Sequence, residues 1–411
     1  MDSAKLVGAV TPPSRLRRVA LIYDATRTYD LKVMTGVAAY LREGARWSVY
    51  IEETALKDQR LPDLASWHGD GVIANFDHPR VVRAVLASSL PTVAFGSGYG
   101  WYDPRFHIPY LFTNNREIAR MAADHLWDRG FRRFAYYGGV RTRVNGWSVE
   151  RERAFSAHVG KRRCRCDVYR DRDASGRNWT PSQRALGRWL LALPKPVGLM
   201  AENDQRARLV LEACRNAGLR LPEEVAVIGV DNDELLCHLS TPLLSSVEQG
   251  SRRIGHEAAA LLEQMMAGFE ARRKSAVVDP TGVVARGSTD FLAIEDRTVA
   301  EAMRYVGVHA GDGIQAQDVA AAVAMSRSGL DAHFKSELGL TVRGAIRKTQ
   351  LERTLRLVSD TGLSLKEIAA RTGFKSVQHM TTLFSQAFAC PPAKYRHTVA
   401  RGALHRNPGS S

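Results

Sequence analysis

Apolar and polar positions alternate in blocks over the first 290 residues of this 411-residue chain. Short apolar runs are separated by longer amphipathic segments of helical period, and this order predicts a parallel β-sheet covered by α-helices. The predicted strands are residues 18–23, 48–51, 71–74, 92–95, 133–137, 197–200 and 225–230. The predicted helices are residues 30–42, 115–129, 150–158, 183–192 and 205–217.

The pattern changes in the last quarter, where residues 318–334 and 365–384 each fit a short helix, a turn and a second helix. Ser326 and Ser376 are good N-caps for the two second helices. Gly373 tolerates the positive φ that a tight turn requires, whereas Ala324 stands at the matching place in the first segment. A longer helix is predicted over residues 342–359. The second part of the fold is therefore expected to be an all-α domain with two helix-turn-helix units.

A helix-turn-helix places the start of its second helix against base edges in the major groove of DNA. The polar residues at those two helix starts are therefore the candidate DNA contacts. They are Arg327, Ser328, Asp331 and Ala332 in the first unit, and Lys375, Ser376, Gln378, His379 and Thr382 in the second. The alternative is two ordinary amphipathic helix pairs whose polar faces are only solvated.

This quarter of the chain resembles the AraC/XylS family of transcription regulators, whose DNA-binding domain has two helix-turn-helix units joined by one helix. The resemblance is carried by Ile368-Ala369, Gly373-Phe374, Ser376, Phe384, Phe388, Pro392 and Tyr395-Arg396. The chain departs from the family pattern at Met380, where an aromatic residue is usual, at Ala389, where glycine is usual, and at Thr382 and Ser385, which replace basic residues.

Charge also favours DNA binding. Residues 301–411 contain fifteen Lys and Arg against eight Asp and Glu, and the first 300 residues carry the remaining eight of the net charge of +15. Lys and Arg side chains that neutralise phosphates gain affinity by releasing counterions. The candidate phosphate contacts are Arg343, Arg347, Lys348, Arg353, Arg371, Lys375, Lys394 and Arg396, each of which could equally be a solvated surface charge.

Polar side chains follow the predicted strands of the first 290 residues. Asp24, Asp77 and Asp204 come shortly after strands, as do the neighbours Asp231 and Asn232. Ligands of open α/β sheets bind at the carboxyl ends of the strands, and such side chains can each hydrogen-bond two hydroxyls of a sugar. The alternative for each residue is a helix N-cap.

Residues 202–207, 221–232, 240–247 and 284–288 resemble the sugar-sensing core of LacI/GalR regulators. That resemblance implies a two-lobed fold like that of periplasmic binding proteins, with lobes at about 16–111 and 113–240. It also implies that Arg151 binds sugar hydroxyls from the second lobe, and that sugar favours a closed arrangement of the lobes.

The order of a LacI-like sensor and an AraC-like reader resembles that of xylose-responsive activators of xylose catabolism. This match is carried by residues 69–74, 150–151, 228–232 and 244–247. It implies D-xylose as effector, although another pentose or small polar metabolite stays open. It places Asp231 and Arg151 first among the contacts, followed by Asp204, Asn232, Asp24 and Asp77.

The expected domain plan is a disordered N-terminus (1–15), a sensing domain (16–288), a linker (289–298), a DNA-binding domain (299–399) and a disordered tail (400–411). The expected partners are double-stranded operator DNA, a sugar, RNA polymerase and a second copy of the chain in a homodimer. The absence of a long apolar stretch favours a soluble protein of the cytoplasm, associated with the nucleoid.

An α/β enzyme is the competing class, because Gly138-Gly139 after a strand resembles a phosphate site. No complete phosphate-binding motif or nucleophile pair accompanies it, and no cofactor is expected. The five cysteines lack metal-site spacing. Residues 161–178 are expected to form a solvated, irregular excursion.

Overall fold

The computed structural model describes residues 16–51, 61, 63–98, 101–140, 145–171, 179–269, 275–291, 296–388 and 390–400. The strands are β1 (Arg17–Ile22), β2 (Trp47–Ile51), β3 (Gly71–Asn75), β4 (Thr92–Gly96), β5 (Tyr110–Thr113), β6 (Phe134–Gly138), β7 (Cys166–Arg170), β8 (Val197–Ala201), β9 (Val225–Val230), β10 (Ser245–Glu248), β11 (Ser275–Val278) and β12 (Gly282–Val284).

The helices of the sensing part are α1 (Thr28–Arg42), α2 (Pro79–Leu86), α3 (Asn115–Asp128), α4 (Gly146–Lys161), α5 (Trp179–Ala192), α6 (Asp204–Asn216), α7 (Glu234–Leu239) and α8 (Ser251–Met266). Those of the C-terminal part are α9 (Arg297–His309), α10 (Ala316–Ala322), α11 (Arg327–Leu338), α12 (Val342–Asp360), α13 (Leu365–Arg371), α14 (Val377–Phe388) and α15 (Pro392–Ala400). Within the described residues, no helix is both long enough and apolar enough to cross a bilayer.

The contacts divide the chain into two compact units. The first comprises residues 1–119, 139–154 and 248–280, and the second comprises residues 120–138, 155–247 and 281–411. The sequence predicted a simpler break near residue 112 and put Arg151 in the second lobe. Arg151 lies in segment 139–154 of the first unit, where its guanidinium is bonded to Asn115 and Gln249.

The first unit contains a six-stranded sheet in the order β11-β5-β4-β3-β1-β2. Its central strands β3 and β4 are buried at every residue, which explains why they read as unbroken apolar runs. Helices α1 and α8 pack on it with their backbones almost touching. A Cβ on Gly36 would lie 1.9 Å from the carbonyl oxygen of Arg252, and one on Gly255 would lie 1.8 Å from that of Val33. Only glycine allows these helices to approach so closely.

The second unit contains a six-stranded sheet in the order β12-β10-β9-β8-β6-β7. Strands β6, β8 and β9 are buried at every residue. In both sheets the strand order reverses beside the first strand of the βαβ series, between β1 and β3 and between β6 and β8. Ligands of doubly wound sheets bind at such a reversal, outside the carboxyl ends of the strands.

The C-terminal part of the second unit is all helical and has two apolar clusters. One surrounds Leu330 and Phe334, with α9 to α12 contributing, and the other surrounds Met380 and Phe384, with α12 to α15 contributing. The predicted helix over 342–359 is observed as α12. The predicted N-caps are confirmed, since Ser326 caps α11 and Ser376 Oγ accepts a hydrogen bond from the backbone N–H of His379.

The sequence analysis did not identify every element of the fold. The strands β5, β7, β10, β11 and β12 and the helices α2, α7, α8, α9 and α15 were not predicted. These strands are three to five residues long, and β7 is an edge strand with no fully buried residue, so none presents a long apolar run.

Strand β7 also corrects the expectation of an irregular excursion over residues 161–178, since Cys166–Arg170 pairs in parallel with β6. Residues 172–178 of that segment lie outside the described residues, as do residues 1–15 and 401–411, which were expected to be disordered. Ala400, assigned to the tail by the sequence analysis, is instead the last residue of α15.

Candidate functional site

A polar network occupies the carboxyl edge of the first sheet, at the reversal between β1 and β3. The carboxylate Oδ2 of Asp30 accepts hydrogen bonds from the backbone N–H of Asp24 (2.8 Å) and from Asn75 Nδ2 (2.6 Å). Asn75 Oδ1 in turn accepts from the backbone N–H of Asp77 (2.7 Å). The predicted ligand residues Asp24 and Asp77 are thus brought together through Asp30 and Asn75.

Asp77 is buried, and both of its carboxylate oxygens have partners. Its Oδ2 pairs with Arg27 Nη1 at 3.1 Å, and its Oδ1 accepts from Ser97 Oγ at 3.0 Å. Asp24 lies closer to the surface, and its Oδ1 accepts from both the backbone N–H and the hydroxyl of Thr26. Asp24 therefore closes a local turn, and Asp77 anchors an arginine.

Burial dominates the ionisation of these carboxyls. It raises the pKa of Asp30 from 3.8 to about 6, against the nearby positive charge of Arg27. It also raises the pKa of Asp77, again opposed by Arg27. The Oδ1 atom of Asp30 is buried and has no hydrogen-bond partner among the described residues. Such a site can accept a donor from a polar ligand.

Arg151 extends the same network. Its side chain is 3% exposed, its Nε donates to Asn115 Oδ1 at 2.9 Å, and its Nη2 donates to Gln249 Oε1 at 2.8 Å. Asn115 Nδ2 also donates to the carbonyl of Ser97 at 2.9 Å, which connects Arg151 to the residues around Asp77. The guanidinium lies over the ring of Trp147, 4.7 Å from its centroid. Amide oxygens therefore orient this cation, and the aromatic ring faces it.

The second unit has its own polar cluster at the ends of β8 and β9. Asp204 is buried, its Oδ1 accepts from Ser246 Oγ at 2.6 Å, and its Oδ2 accepts from the backbone N–H of Asp233 at 2.7 Å. A Cβ at Gly229 would lie 2.1 Å from Asp204 Oδ1, so the carboxylate occupies the space that a side chain there would need. Burial, followed by the charge of Asp231, raises the pKa of Asp204.

Asp231 and Asn232 have an unusual backbone. Their φ angles are 108° and 49°, in the region that non-glycine residues rarely adopt. Asn232 is held by two bonds, from its backbone N–H to Ser246 Oγ (2.9 Å) and from Arg286 Nη2 to its Oδ1 (2.8 Å). Strained backbone of this kind is concentrated at functional sites, which supports the choice of these two residues.

A third group lies at the reversal between β6 and β8. Arg206 Nη1 donates to Asp171 Oδ2 at 2.8 Å, and its Nε lies 3.4 Å from Glu202 Oε1. The hydroxyl of Tyr137 donates to the same Asp171 oxygen at 3.2 Å. Carboxylates, amides, guanidiniums and aromatic rings occur among these groups, and such side chains are suited to a polyhydroxy ligand.

The sequence analysis missed Asn115, Asp171 and Gln249, and the reason is common to all three. Asp171 and Gln249 directly follow β7 and β10, and Asn115 begins the helix after β5, so each stands at the end of a strand that was not predicted. The rule of inspecting strand ends would have found them once those short strands were known.

The proposed DNA contacts lie on the starts of α11 and α14. Of the nine, all are exposed except Asp331, which is half-buried. Asp331 Oδ1 accepts the backbone N–H of Val342 at 2.9 Å, so it caps α12 as well as lying on α11. Thr382 Oγ1 donates to the carbonyl of Gln378 at 3.0 Å. The opposite faces of these helices are buried, as base-reading helices require.

The two turns are similar in backbone, with φ of 51° at Ala324 and 76° at Gly373. Gln350 of α12 ties the second turn to the end of α9, because its Nε2 donates to the carbonyls of Ala310 (3.0 Å) and Gly373 (3.3 Å). A Cβ at Gly373 would lie 2.2 Å from the carbonyl oxygen of Ala310. The two helix-turn-helix units are therefore packed against each other through α12 and this close contact.

Among the residues that the structure describes, no group of three or more His, Cys, Asp or Glu could hold a metal ion.

Three models of known protein domains match parts of the chain. The XylR N-terminal domain model matches residues 18–116, the periplasmic binding protein-like domain model matches 123–289, and the helix-turn-helix domain model matches 319–398. The chain is 35% identical over 384 residues to the xylose operon regulatory protein of Escherichia coli strain K12, covering 93% of this chain and 97% of that one. Its identity to the Haemophilus influenzae protein of the same name is 33%, covering 92% and 98%.

Solved structures of transcription regulators are also similar to this chain. The xylose-binding transcription activator xylR is 35% identical, with a TM-score of 0.66 over 94% of this chain and 99% of that one. The regulator CelR in complex with cellobiose, at 23% identity and a TM-score of 0.55, shares the fold of the sensing part. The predicted fold class is confirmed, and the chain is a DNA-binding transcription regulator and not an enzyme. Because identity above 30% extends over more than nine tenths of its length, the chain belongs to the family of xylose operon regulatory proteins.

Proposed function

We propose that this regulator is a D-xylose-dependent activator of genes for xylose catabolism. The observation that carries the proposal is the full-length similarity, at 35% identity, to a transcription activator that binds xylose. The polar networks at the strand ends support it, because they offer paired acceptors and donors of the kind that neighbouring hydroxyls require.

The sugar contacts that we propose are Arg151, Asp24 and Asp77 in the first unit, and Asp204, Asp231 and Asn232 in the second. Their expected roles differ. Both oxygens of Asp204 are already bonded, to Ser246 Oγ and to the backbone N–H of Asp233. Asp204 therefore acts mainly by positioning the loop after β9, and Asp231 is the carboxylate of the second unit that meets the sugar.

Arg151 is the proposed cation of the site. Its Nε and Nη2 are held by amide oxygens, which fix the plane of the guanidinium before a ligand arrives. Preorganised donors lower the entropy cost of binding. Sugar can then alter DNA binding only if it prefers one of two conformations of the chain.

We further propose that the protein works as a homodimer in the cytoplasm, at the nucleoid, and that it contacts RNA polymerase from its operator. Residues 16–288 form the sensing domain, 289–298 the linker and 299–399 the DNA-binding domain. The starts of α11 and α14 read base edges, with Arg327, Ser328, Asp331 and Ala332 in the first unit and Lys375, Ser376, Gln378, His379 and Thr382 in the second.

Isothermal titration with D-xylose tests the effector, with L-arabinose, D-ribose and D-glucose as competitors. We expect the Asp231→Ala variant to bind xylose about 10- to 100-fold more weakly, because a sugar hydroxyl then lacks its charged acceptor. The matched control is Glu223→Ala, which removes an exposed carboxylate of the same unit and leaves the affinity unchanged. If another pentose binds and xylose does not, that pentose is the effector. If both variants lose affinity for xylose equally, the proposed site is wrong.

DNA reading is tested by comparing Gln378→Ala with Lys366→Ala on operator variants. Gln378 is exposed on α14, whereas Lys366 is exposed on α13, the bracing helix. Losing a base contact costs about 1–3 kcal/mol and relaxes preference at one base pair. The same base preference in both variants would contradict the assignment of α14 as a reading helix.

A further inference from the structure

The densest positive charge of the chain lies outside the DNA-binding domain. Residues 129–170 contain twelve Lys and Arg against three Asp and Glu, a surplus of nine within 42 residues. Residues 301–411 carry a surplus of only seven within 111 residues. A surplus of this size in a sensing domain is not required for sugar binding.

The fold gathers much of this charge at one edge of the second sheet. Strands β6 and β7 run in parallel with Phe134 opposite Cys166, so the residues just before each strand lie at the same amino end. The residues concerned, which we call the basic edge, are Arg132, Arg133, Lys161, Arg162, Arg163 and Arg165. This edge is opposite to the carboxyl edge of the same sheet, where the polar clusters lie.

Two members of the basic edge are held by an aromatic ring. The guanidinium of Arg132 lies 3.9 Å from the centroid of the Trp127 ring, and that of Arg162 lies 4.6 Å from it. Arg132 Nη1 also donates to the carbonyls of Trp127 (3.1 Å) and Phe131 (3.0 Å). Arginines held in this way lose little entropy on meeting a phosphate.

The charge is only partly neutralised. Asp124 pairs with Arg162 at 2.7 Å, and Asp167 pairs with Arg165 at 3.2 Å. Lys161 and Arg163 are exposed and form no ion pair with a carboxylate of the described residues. The basic edge therefore keeps a net positive charge that faces solvent.

The segment that leads to the DNA-binding domain begins beside this edge. Arg129 Nε donates to the carbonyl of Thr289 at 2.7 Å, and the rings of Phe131 and Phe291 have centroids 6.4 Å apart. Residues 290–296 then connect to α9, and seven residues span at most about 25 Å. A duplex of DNA bound by the reading helices is accordingly tethered close to the basic edge.

We propose that the basic edge is a second DNA-binding surface, which contacts the phosphates of the duplex flanking the sequence read by α11 and α14. The inference concerns the affinity for DNA and holds whichever sugar is the effector. Phosphate contacts carry no base information, so this surface adds affinity and salt dependence without adding base preference.

The test compares two triple variants of the full-length protein. Lys161→Gln, Arg163→Asn and Arg165→Gln remove three exposed charges from the basic edge, and Asn is chosen at 163 because φ there is 60°. The control, Arg42→Gln, Arg46→Gln and Arg252→Gln, removes three exposed charges from the first unit. Affinity is measured between about 50 and 200 mM salt, on an operator limited to the reading footprint and on one with flanking duplex.

We expect the basic-edge variant to reduce the slope of log affinity against log salt by up to about 2.7 on the flanked operator, since each of the three lost phosphate contacts removes about 0.9. The control changes that slope little, and both variants bind the short operator alike. Equal slopes for the two variants on flanked DNA would overturn the proposal, as would an equal loss on the short operator. Titration with D-xylose in parallel separates this result from a failure of the proposed effector.

Discussion

Replacing Asp30 by asparagine removes a charge that the first unit holds away from water. Burial raises the pKa of this carboxyl from 3.8 to about 6. Each pKa unit corresponds to about 1.4 kcal/mol, so ionisation of Asp30 in the folded protein costs about 3 kcal/mol relative to the unfolded chain. The magnitude already includes the attraction of Arg27, which opposes burial.

The sign of the pH dependence follows from the direction of the shift. Between about pH 4 and pH 6 the folded protein binds the proton of Asp30 more tightly than the unfolded chain, so stability falls as the pH rises through this window. The asparagine of the Asp30→Asn variant keeps a carbonyl for the two bonds that Asp30 Oδ2 accepts, and it presents an NH2 group where protonated aspartate presents its hydroxyl. The variant should therefore match the wild type near pH 4 and exceed it by about 3 kcal/mol at pH 7.

The measurement is urea unfolding at several pH values, followed by hydrogen exchange in peptides from β1 and β3, because a chain of several domains does not unfold in two states. The control is Asp103→Asn. Asp103 is half-buried, and its hydrogen bonds with Arg105 lower its pKa to about 2, so its contribution does not change between pH 4.5 and pH 7.5. A gain for Asp30→Asn that is constant with pH, or a loss at pH 7, would refute the reasoning.

Three further predictions concern packing and helix ends. Gly373→Ala should destabilise the DNA-binding domain by at least about 2 kcal/mol, because its Cβ would meet the carbonyl of Ala310 and φ there is positive, whereas Ala324→Gly in the matching turn should be neutral or stabilise it by up to about 1 kcal/mol. Gly255→Ala should separate α1 from α8 and lower the melting temperature of the first unit, which scanning calorimetry can detect. Ser364→Ala removes the capping box of α13 and should cost about 1 kcal/mol in denaturant unfolding.

The sequence predicted the central strands of both sheets, the two helix-turn-helix units and the helix between them, for a physical reason. Strands β3, β4, β8 and β9 are buried on both faces, and the caps and turns of the reading domain are encoded by local residues such as Ser326 and Gly373. The edge strand β7 and the short strand β10 lack that pattern, because their pairing is set by neighbours far along the chain. Because these two strands were not predicted, Asp171 and Gln249, which directly follow them, were not identified as candidate site residues.

The partners of the candidate site residues could not be read from local sequence either. Arg151 bonds to Gln249, 98 residues away, and Asn232 bonds to Arg286, 54 residues away. Strand ends can be predicted from hydrophobic pattern, but which strand ends share one edge depends on the strand order. The sequence thus indicated candidate residues at the strand ends, while their hydrogen-bond network required the fold.

The reading helices themselves carry little charge, and this shapes how the protein can hold DNA. Of the nine proposed base contacts only Arg327 and Lys375 are always positive, and Asp331 is negative. Neutral polar side chains discriminate bases but contribute little to counterion release, so affinity must come from basic residues outside the starts of α11 and α14. We therefore expect affinity and base preference to be carried by different surfaces, so that salt weakens binding to all operators together and leaves their ranking unchanged.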